Sequence, residues 1–175
     1  MEKILLRRPT EADEDRVWAY RQAFLDRGET VHGSSALSAA ESYSAWLRQV
    51  RCNQNPQTVR PGLVVSDTLM AVRAPDGVLV GFIDIRHTLN DFLMRFGGHI
   101  GYSVQPDLRR RGYAAEMLRL ALDRCRNELG LERVLLTCGL ENEGSRRTIL
   151  ANGGVLENEI PEEDGTLVQR YWIAL

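Results

Sequence analysis

The residues best suited to chemistry lie in one basic turn, Arg109-Arg110-Arg111-Gly112-Tyr113-Ala114. The alternating residues 98–104 before it predict a half-buried strand, which Pro106 ends because proline cannot donate to a sheet. Apolar residues at helical spacing follow the turn. A turn that opens a helix presents backbone N–H groups without partners and the positive end of the helix dipole. Gly112 lets a ligand approach the main chain, so the sequence predicts a phosphate or pyrophosphate site.

The basic turn resembles a family signature. The pattern Arg109-x-x-Gly112-x-Ala114, between a strand ending Val104-x-Pro106 and a long amphipathic helix, is similar to the acyl-CoA signature of the GNAT superfamily, the acetyl-CoA-dependent N-acetyltransferases. Within that superfamily, residues 85–91 and 141–145 resemble a little-characterised bacterial group. The resemblance covers essentially the whole chain and implies acetyl-CoA as the co-substrate. The alternative interpretation of the turn is a solvated, arginine-rich helix cap without a ligand.

The resemblance also implies how the cofactor is held. The backbone of Tyr102 and Val104 would pair with the pantetheine arm as an additional strand, and the N–H of Val104 would hold the oxyanion. Asn142-x-x-Ser145 matches the family's N-x-x-S at the start of the last helix, where Asn binds the same arm; a plain helix cap is the alternative. The implied cofactor-binding residues are Tyr102, Val104, Arg109, Arg110, Arg111, Gly112, Tyr113, Ala114, Asn142, Ser145 and Arg146. Arg146 and its neighbour Arg147 would reach the adenosine 3′-phosphate, and solvated surface arginines are the alternative interpretation.

The residue that protonates the departing thiolate is left open. Many family members carry a tyrosine four residues beyond the serine of N-x-x-S, but this chain has Ile149 there, and isoleucine cannot donate a proton. Tyr102, Tyr171 or water are the remaining candidates for the acid.

The base is open as well. An attacking alkyl amine has a pKa of about 10.4 and must lose a proton before it can attack. Superfamily members often have Glu on the strand before the turn, and His99 lies about where that Glu would fall. An imidazole, with an ordinary pKa of about 6.5, suits the role. His87 is the second candidate, and a half-buried structural histidine is the alternative interpretation.

Recognition of the acceptor is expected from two loops, residues 29–37 and 86–97. Their polar side chains give four candidate acceptor-binding residues: His32, Ser34, His87 and Asn90.

The composition fits one domain over residues 1–175. Of these residues 43% are hydrophobic, and a formal net charge of −2 argues against general affinity for nucleic acid. Three cysteines and three histidines without metal-ligand spacing predict neither a disulfide framework nor a metal site. The charged start and the lack of a long apolar run predict a cytoplasmic protein that does not enter the membrane.

Periodicity and turn signals predict the elements that position these residues. A strand at 4–6 precedes a helix over 10–28 and a second helix opened by the capping box Ser38-Ala39-Ala40-Glu41. The further elements are strands at 68–73, 78–87 and 98–104, a helix at 112–129, a strand at 134–138, a helix at 142–152, and strands at 155–160 and 167–174. With the resemblance, this order predicts an α/β GNAT fold: a mixed, mostly antiparallel sheet of about seven strands, flanked by about four helices and splayed at the acyl-CoA site.

The sequence therefore predicts an acetyltransferase that moves an acetyl group from acetyl-CoA directly to a primary amine in a ternary complex. The acceptor is expected to be a small-molecule or peptide amine, and the protein a monomer or homodimer without metal. The alternative is a non-catalytic acyl-CoA-binding sensor or regulatory module of the same fold. A nucleotide-dependent enzyme is the weaker rival, because neither G-x-x-x-x-G-K-[ST] nor G-x-G-x-x-G occurs.

Overall fold

Seven strands and four α-helices follow one another in the predicted order. The computed structural model describes residues 2–175. The strands are β1 (Ile4–Arg7), β2 (Ser66–Arg73), β3 (Leu79–Arg86), β4 (Ile100–Val104), β5 (Arg133–Gly139), β6 (Val155–Pro161) and β7 (Leu167–Ala174). The α-helices are α1 (Glu14–Leu25), α2 (Tyr43–Asn53), α3 (Tyr113–Asn127) and α4 (Glu143–Ala151). None of the helices in the described residues is long and apolar enough to span a membrane.

The strands form two antiparallel sheets that meet at one point. The first sheet has the order β1-β2-β3-β4 and the second has the order β5-β7-β6. Where the sheets meet, His99 N donates to Leu135 O at 2.7 Å. Beyond that bond β4 and β5 form no ladder, because each belongs to a separate sheet. The predicted seven-stranded, splayed α/β fold is confirmed.

Apolar side chains cover both faces of the first sheet. On β3, Ile83 and Ile85 lie in a core that α3 closes with Met117, whereas Phe82 lies in a second core formed with α1 and α2. Alternate residues of this strand therefore serve opposite faces, as expected for a strand covered by helices on both sides. α3 therefore covers one face of the first sheet, and α1 and α2 cover the other.

The helices α1 and α2, which cover the same face of the first sheet, begin in different ways. Before α1, the predicted capping box is present with Asp in place of Glu or Gln, since Thr10 N donates to Asp13 Oδ2 at 2.8 Å. The predicted start of α2 was wrong. Residues 37–39 form only a 3-10 turn, and α2 begins at Tyr43 with Ser42 Oγ accepting from Ala45 N.

The predicted loop 88–97 contains a helical turn at Leu93–Gly97. Thr137 Oγ1 donates to Phe96 O at 2.6 Å, and this bond attaches the turn to β5. The segment therefore fills the space beside the point where the two sheets meet.

Candidate functional site

A cleft of about 1700 Å³ lies where β4 and β5 diverge. Its walls are β4, the basic turn with the first residues of α3, the end of β5 with the start of α4, part of the loop 29–33, and part of the β6–β7 hairpin. The predicted turn and the predicted strand therefore border one continuous space.

The main chain of β4 faces this cleft. Gln105 N donates to Val80 O at 2.9 Å, which makes position 105 one that is hydrogen-bonded to β3. Bonded and non-bonded positions alternate in an antiparallel pair, so the N–H and C=O groups of Tyr102 and Val104 point away from β3. They point to the side where β5 would pair if the sheet were continuous. The cleft thus offers a strand edge on which an extended ligand can form hydrogen bonds.

The start of α3 provides N–H groups without a side-chain cap. Gly112 is the residue before the helix, with φ of 85°, and it has no side chain to accept a hydrogen bond from the first turn. Tyr113, Ala114 and Ala115, which form that turn, line the cleft. Arg110 also adopts a left-handed conformation, with φ of 63°. This geometry supports the predicted phosphate site.

The three arginines of the turn point in different directions. Arg109 forms an ion pair with Glu29, which belongs to the loop after α1. Arg111 donates to Asp107 O at 3.3 Å and does not line the cleft. Arg110 lines the cleft and forms no ion pair within residues 2–175. Arg109 lines the cleft as well, but of these two arginines only Arg110 carries a charge that no carboxylate of residues 2–175 compensates.

The start of α4 borders the same space. Asn142 Oδ1 accepts from Ser145 N at 3.0 Å, so Asn142 does cap the helix, and both residues line the cleft. Cofactor contact by either residue stays a prediction. Arg146 is bonded to Glu143 at 2.9 Å and does not line the cleft, whereas Arg147, also bonded to Glu143, does.

The two candidate tyrosines differ in position. The hydroxyl of Tyr102 lies 2.8 Å from Ser145 Oγ inside the cleft, and burial raises its pKa to about 12. Tyr171 donates to Gln169 Oε1 at 2.8 Å within the core and does not line the cleft. Ile149 is fully buried in the same core, so this helix presents no phenol to the cleft there.

His99 lies between the sheets rather than in the cleft. Its Nδ1 accepts from Leu135 N at 2.9 Å, which leaves the proton of the neutral ring on Nε2. Burial, with a smaller effect of the nearby Arg86 charge, lowers the pKa of His99 to about 4. The lone pair that would take a proton from an amine is thus occupied. The role of His99 as base stays a prediction, and these contacts count against it.

Only one of the four candidate acceptor-binding residues reaches the cleft. His32 lines it, next to β4. The other three do not line it and make internal contacts: Ser34 Oγ donates to Val31 O (2.7 Å), His87 Nε2 lies 2.8 Å from Asp67 Oδ2, and Asn90 Nδ2 donates to Gly62 O (3.0 Å).

Sequence reasoning did not find Gly33. Its φ is 65°, and a Cβ atom there would lie 2.3 Å from Gly101 O and 2.7 Å from the Cα of Tyr102. The main chain of the loop therefore lies directly against β4. The only available signal was a glycine in a polar segment without periodicity, which is typical of any loop.

Arg86 was also not predicted as a site residue. It ends β3 and lines the cleft, and its Nη1 donates to Gly97 O at 2.9 Å and to Gly98 O at 3.0 Å. The guanidinium is thus fixed by main-chain carbonyls at the end of the cleft next to His99. No sequence motif distinguishes it from a surface arginine.

Neither buried thiol is activated. Cys138 lines the cleft, but burial raises its pKa, and burial raises that of Cys125 to about 11. Both are therefore protonated at neutral pH, which makes them poor nucleophiles. Residues 2–175 contain no group of three or more His, Cys, Asp or Glu side chains arranged to hold a metal ion.

Comparisons with known proteins agree with this architecture. A family model described as an acetyltransferase (GNAT) domain matches residues 3–155. Among solved structures, the ribosomal-protein-S5-alanine acetyltransferase from Vibrio fischeri has a TM-score of 0.71 at 14% identity, covering 99% of this chain and 94% of that one. Mycobacterium smegmatis RimJ in complex with CoA-disulfide has a TM-score of 0.69 at 21% identity, covering 98% and 81%.

A third solved structure is a chimera of the spermidine N-acetyltransferase SpeG from Vibrio cholerae and hSSAT. It has a TM-score of 0.66 at 16% identity, covering 98% of this chain and 94% of that one. At these identities the structural likeness shows the fold alone. No curated protein matches the sequence significantly.

Proposed function

The chain belongs to the GNAT acetyltransferase family, and from that premise we propose that it transfers an acetyl group from acetyl-CoA to a primary amine by direct attack in a ternary complex. One observation carries the proposal. The main-chain edge of β4, which pairs with no further strand, and the uncapped start of α3 border the same cleft. A ligand with an extended polar arm and a pyrophosphate matches both surfaces at once.

The cofactor is assigned to these two surfaces. The pyrophosphate would bind the N–H groups of the first turn of α3, with Arg110 as its charged partner. The pantetheine arm would bond to the backbone of Tyr102 and Val104, with the amide of Asn142 as a further donor. The N–H of Val104 would then polarise the thioester carbonyl and stabilise the oxyanion that forms on attack.

The proton of the amine is proposed to leave to solvent in the open cleft. Attack by the neutral amine on the thioester carbon gives a tetrahedral intermediate with a charged nitrogen, which loses a second proton to solvent. Its collapse breaks the C–S bond and releases the amide and the CoA thiolate. His99 takes no part, because its Nδ1 is bonded to Leu135 N.

Tyr102 is proposed to stabilise the departing thiolate through a hydrogen bond. A thiol has a pKa of about 8.5, and that of Tyr102 is about 12, so full transfer of the phenolic proton would be uphill by roughly 5 kcal/mol. The hydroxyl therefore donates a hydrogen bond and keeps its proton. The thiolate takes its own proton from solvent afterwards.

The acceptor is proposed as a small-molecule or peptide primary amine. The structural neighbours are named for different acceptors, a ribosomal protein in one case and spermidine in another. A shared fold therefore does not select among them.

A non-catalytic acyl-CoA-binding module is the second candidate. The buried Ile149 at the position of the family's tyrosine favours it, because the usual acid is missing from α4. Such a module would bind acetyl-CoA without turning over any amine.

Acetyl-CoA binding and turnover test the two candidates. At free acetyl-CoA 100-fold above Kd, the native state gains about 2.7 kcal/mol, which raises Tm by roughly 5–10 °C for a chain of this length. Gly112→Val should abolish this shift, since its branched side chain would stand at the phosphate site. Gly130→Val is the matched control, because Gly130 follows the other end of α3 with φ of 65° and no neighbouring atom within 4 Å of its Cβ position.

The outcomes separate the candidates. Binding with turnover of at least one amine in a broad panel supports the acetyltransferase. Binding without any turnover supports the module. A Tm shift with ATP or NAD but none with acetyl-CoA, or an equal loss of the shift in both variants, refutes the proposed cofactor site.

A further inference from the structure

Arg109, the first residue of the basic turn, lines the cleft, but its side chain is engaged by contacts within the protein. Its Nη1 lies 3.1 Å from Glu29 Oε1, and its Nη2 bonds Glu29 Oε2. Its Nε donates to Val104 O at 3.3 Å, and the guanidinium carbon lies 5.3 Å from the ring centroid of Phe24. One planar group thus joins the end of α1, the loop after it and the last residue of β4.

That loop, residues 28–36, lies on the face of β4 opposite α3. Ser103 Oγ donates to His32 O at 2.7 Å and accepts from Tyr20 OH at 3.1 Å, and Tyr20 belongs to the core formed by α1 and α2. Gly33 contacts the main chain of β4 on the same side. If acetyl-CoA binds at the start of α3, the other side of β4 remains for the acceptor. We call residues 28–36 the acceptor-side loop.

The charges of the turn support a division of roles. Glu29 compensates the charge of Arg109, and the hydrogen bond from Arg109 lowers the pKa of Glu29. An exposed ion pair alone contributes little. Here, however, a bidentate pair, a main-chain hydrogen bond and an aromatic ring hold a single guanidinium. Arg110, the next residue, also lines the cleft, but it forms no ion pair in the described chain.

We propose that Arg109 is a positioning residue that attaches the acceptor-side loop to the carbonyl of Val104, and that Arg110 provides the phosphate contact. The proposal rests on the proposed function, in which the N–H of Val104 stabilises the oxyanion. By holding the carbonyl of the same residue, Arg109 fixes the end of β4 and the loop against each other. Loss of Arg109 should therefore misplace the acceptor relative to the thioester while leaving the cofactor bound.

Matched variants separate these roles by calorimetry and steady-state kinetics. Arg109→Gln should keep the Kd of acetyl-CoA within about two-fold of wild type and lower kcat/KM for the amine by roughly 10- to 100-fold. Arg110→Gln should raise the Kd of acetyl-CoA by roughly 10-fold, and this Kd should depend less on salt than the Kd of the wild type does. Arg27→Gln removes another ion pair between the same two segments, with Asp107, and should change kcat/KM less than three-fold.

Glu29→Gln and hydrogen exchange add a test that needs no turnover. Glu29→Gln removes the ion pair but keeps Arg109, so acetyl-CoA should bind as tightly as in wild type or more tightly, while the KM of the amine rises. Amide exchange over residues 28–36 should be faster in Arg109→Gln and Glu29→Gln than in wild type and Arg110→Gln.

Two results overturn the proposal. One is that Arg109→Gln weakens acetyl-CoA as much as Arg110→Gln does. The other is that exchange over residues 28–36 is the same in wild type and Arg109→Gln. A wild-type protein that does not bind acetyl-CoA refutes the proposed function instead, and the exchange measurement still decides whether Arg109 holds the loop.

Discussion

The contact of Gly33 with β4 gives the sharpest quantitative prediction. Gly28 and Gly33 belong to the same loop and both have a left-handed φ of nearly the same value, 67° and 65°. A Cβ atom at Gly28 would meet nothing within 4 Å, whereas at Gly33 it would lie 2.3 Å from Gly101 O and 2.5 Å from Gly101 C. Substitution by alanine at both positions therefore separates the cost of the conformation from the cost of the contact.

The conformational cost is common to both variants. An alanine in the left-handed region costs about 1–2 kcal/mol, partly offset by the smaller entropy of its unfolded chain, which leaves a loss of roughly 1 kcal/mol for Gly28→Ala. Gly33→Ala adds a clash with main-chain atoms of a strand, which cannot turn aside as a side chain can. Overpacking of this kind costs about 1–3 kcal/mol, so the total for Gly33→Ala is roughly 2–4 kcal/mol.

Urea unfolding of the two variants and wild type, at constant m-value, measures these losses. If the loop moves off β4 to relieve the clash, kcat/KM for the amine should fall in Gly33→Ala more than in Gly28→Ala, with acetyl-CoA affinity near wild type in both. Equal losses of stability in the two variants would show that the loop does not lie against β4, and the acceptor-side assignment would fail with it.

Two further predictions concern titratable groups. Burial raises the pKa of Asp13, but hydrogen bonds from Arg7 and Thr10 outweigh it and bring the pKa to about 2. The carboxylate should therefore contribute about 2 kcal/mol to the free energy of unfolding above pH 4, and this contribution is lost as the pH falls from about 4 to about 2. Urea unfolding of Asp13→Asn should show neither this contribution nor its pH dependence. The second prediction concerns His99→Gln, in which the glutamine side chain can still accept the hydrogen bond from Leu135 N. This variant should keep the kcat/KM and the pH profile of the wild type. A roughly 100-fold loss of rate, together with loss of the inflection in the pH profile, would instead show that His99 is the base.

The strands and helices could be predicted because their signals are local. Alternation, capping residues and glycine stops placed all seven strands and all four α-helices in order, most within a few residues. The start of α2 was wrong because two serines compete for it. Ser38 begins a capping-box pattern, but its Oγ accepts from Val31 N at 2.8 Å, so the preceding loop uses it. Ser42 is left to cap the helix.

The chemistry of the site was harder to predict because it depends on contacts between distant residues. The basic turn predicts a phosphate site, and the uncapped start of α3 supports it. Which arginine of the turn has an uncompensated charge cannot be read from the turn, since the partner of Arg109 is Glu29, 80 residues earlier. The contact that counts against His99 as base is likewise distant in sequence, because its acceptor nitrogen is occupied by the N–H of Leu135 on another sheet.

The side of the cleft that we propose for the acceptor has no sequence signature, because main-chain groups build it. The loop can lie against β4 because Gly33 has no side chain, and the hydrogen bond from Ser103 Oγ to the carbonyl of His32 holds it there. Main-chain contacts of this kind depend on shape, and many loop sequences can make them. The main-chain contacts that hold the loop can therefore be kept while the side chains that contact the acceptor change. An acetyltransferase fold can in this way keep one cofactor site and accept different amines, which is why the acceptor must be found by experiment on this chain.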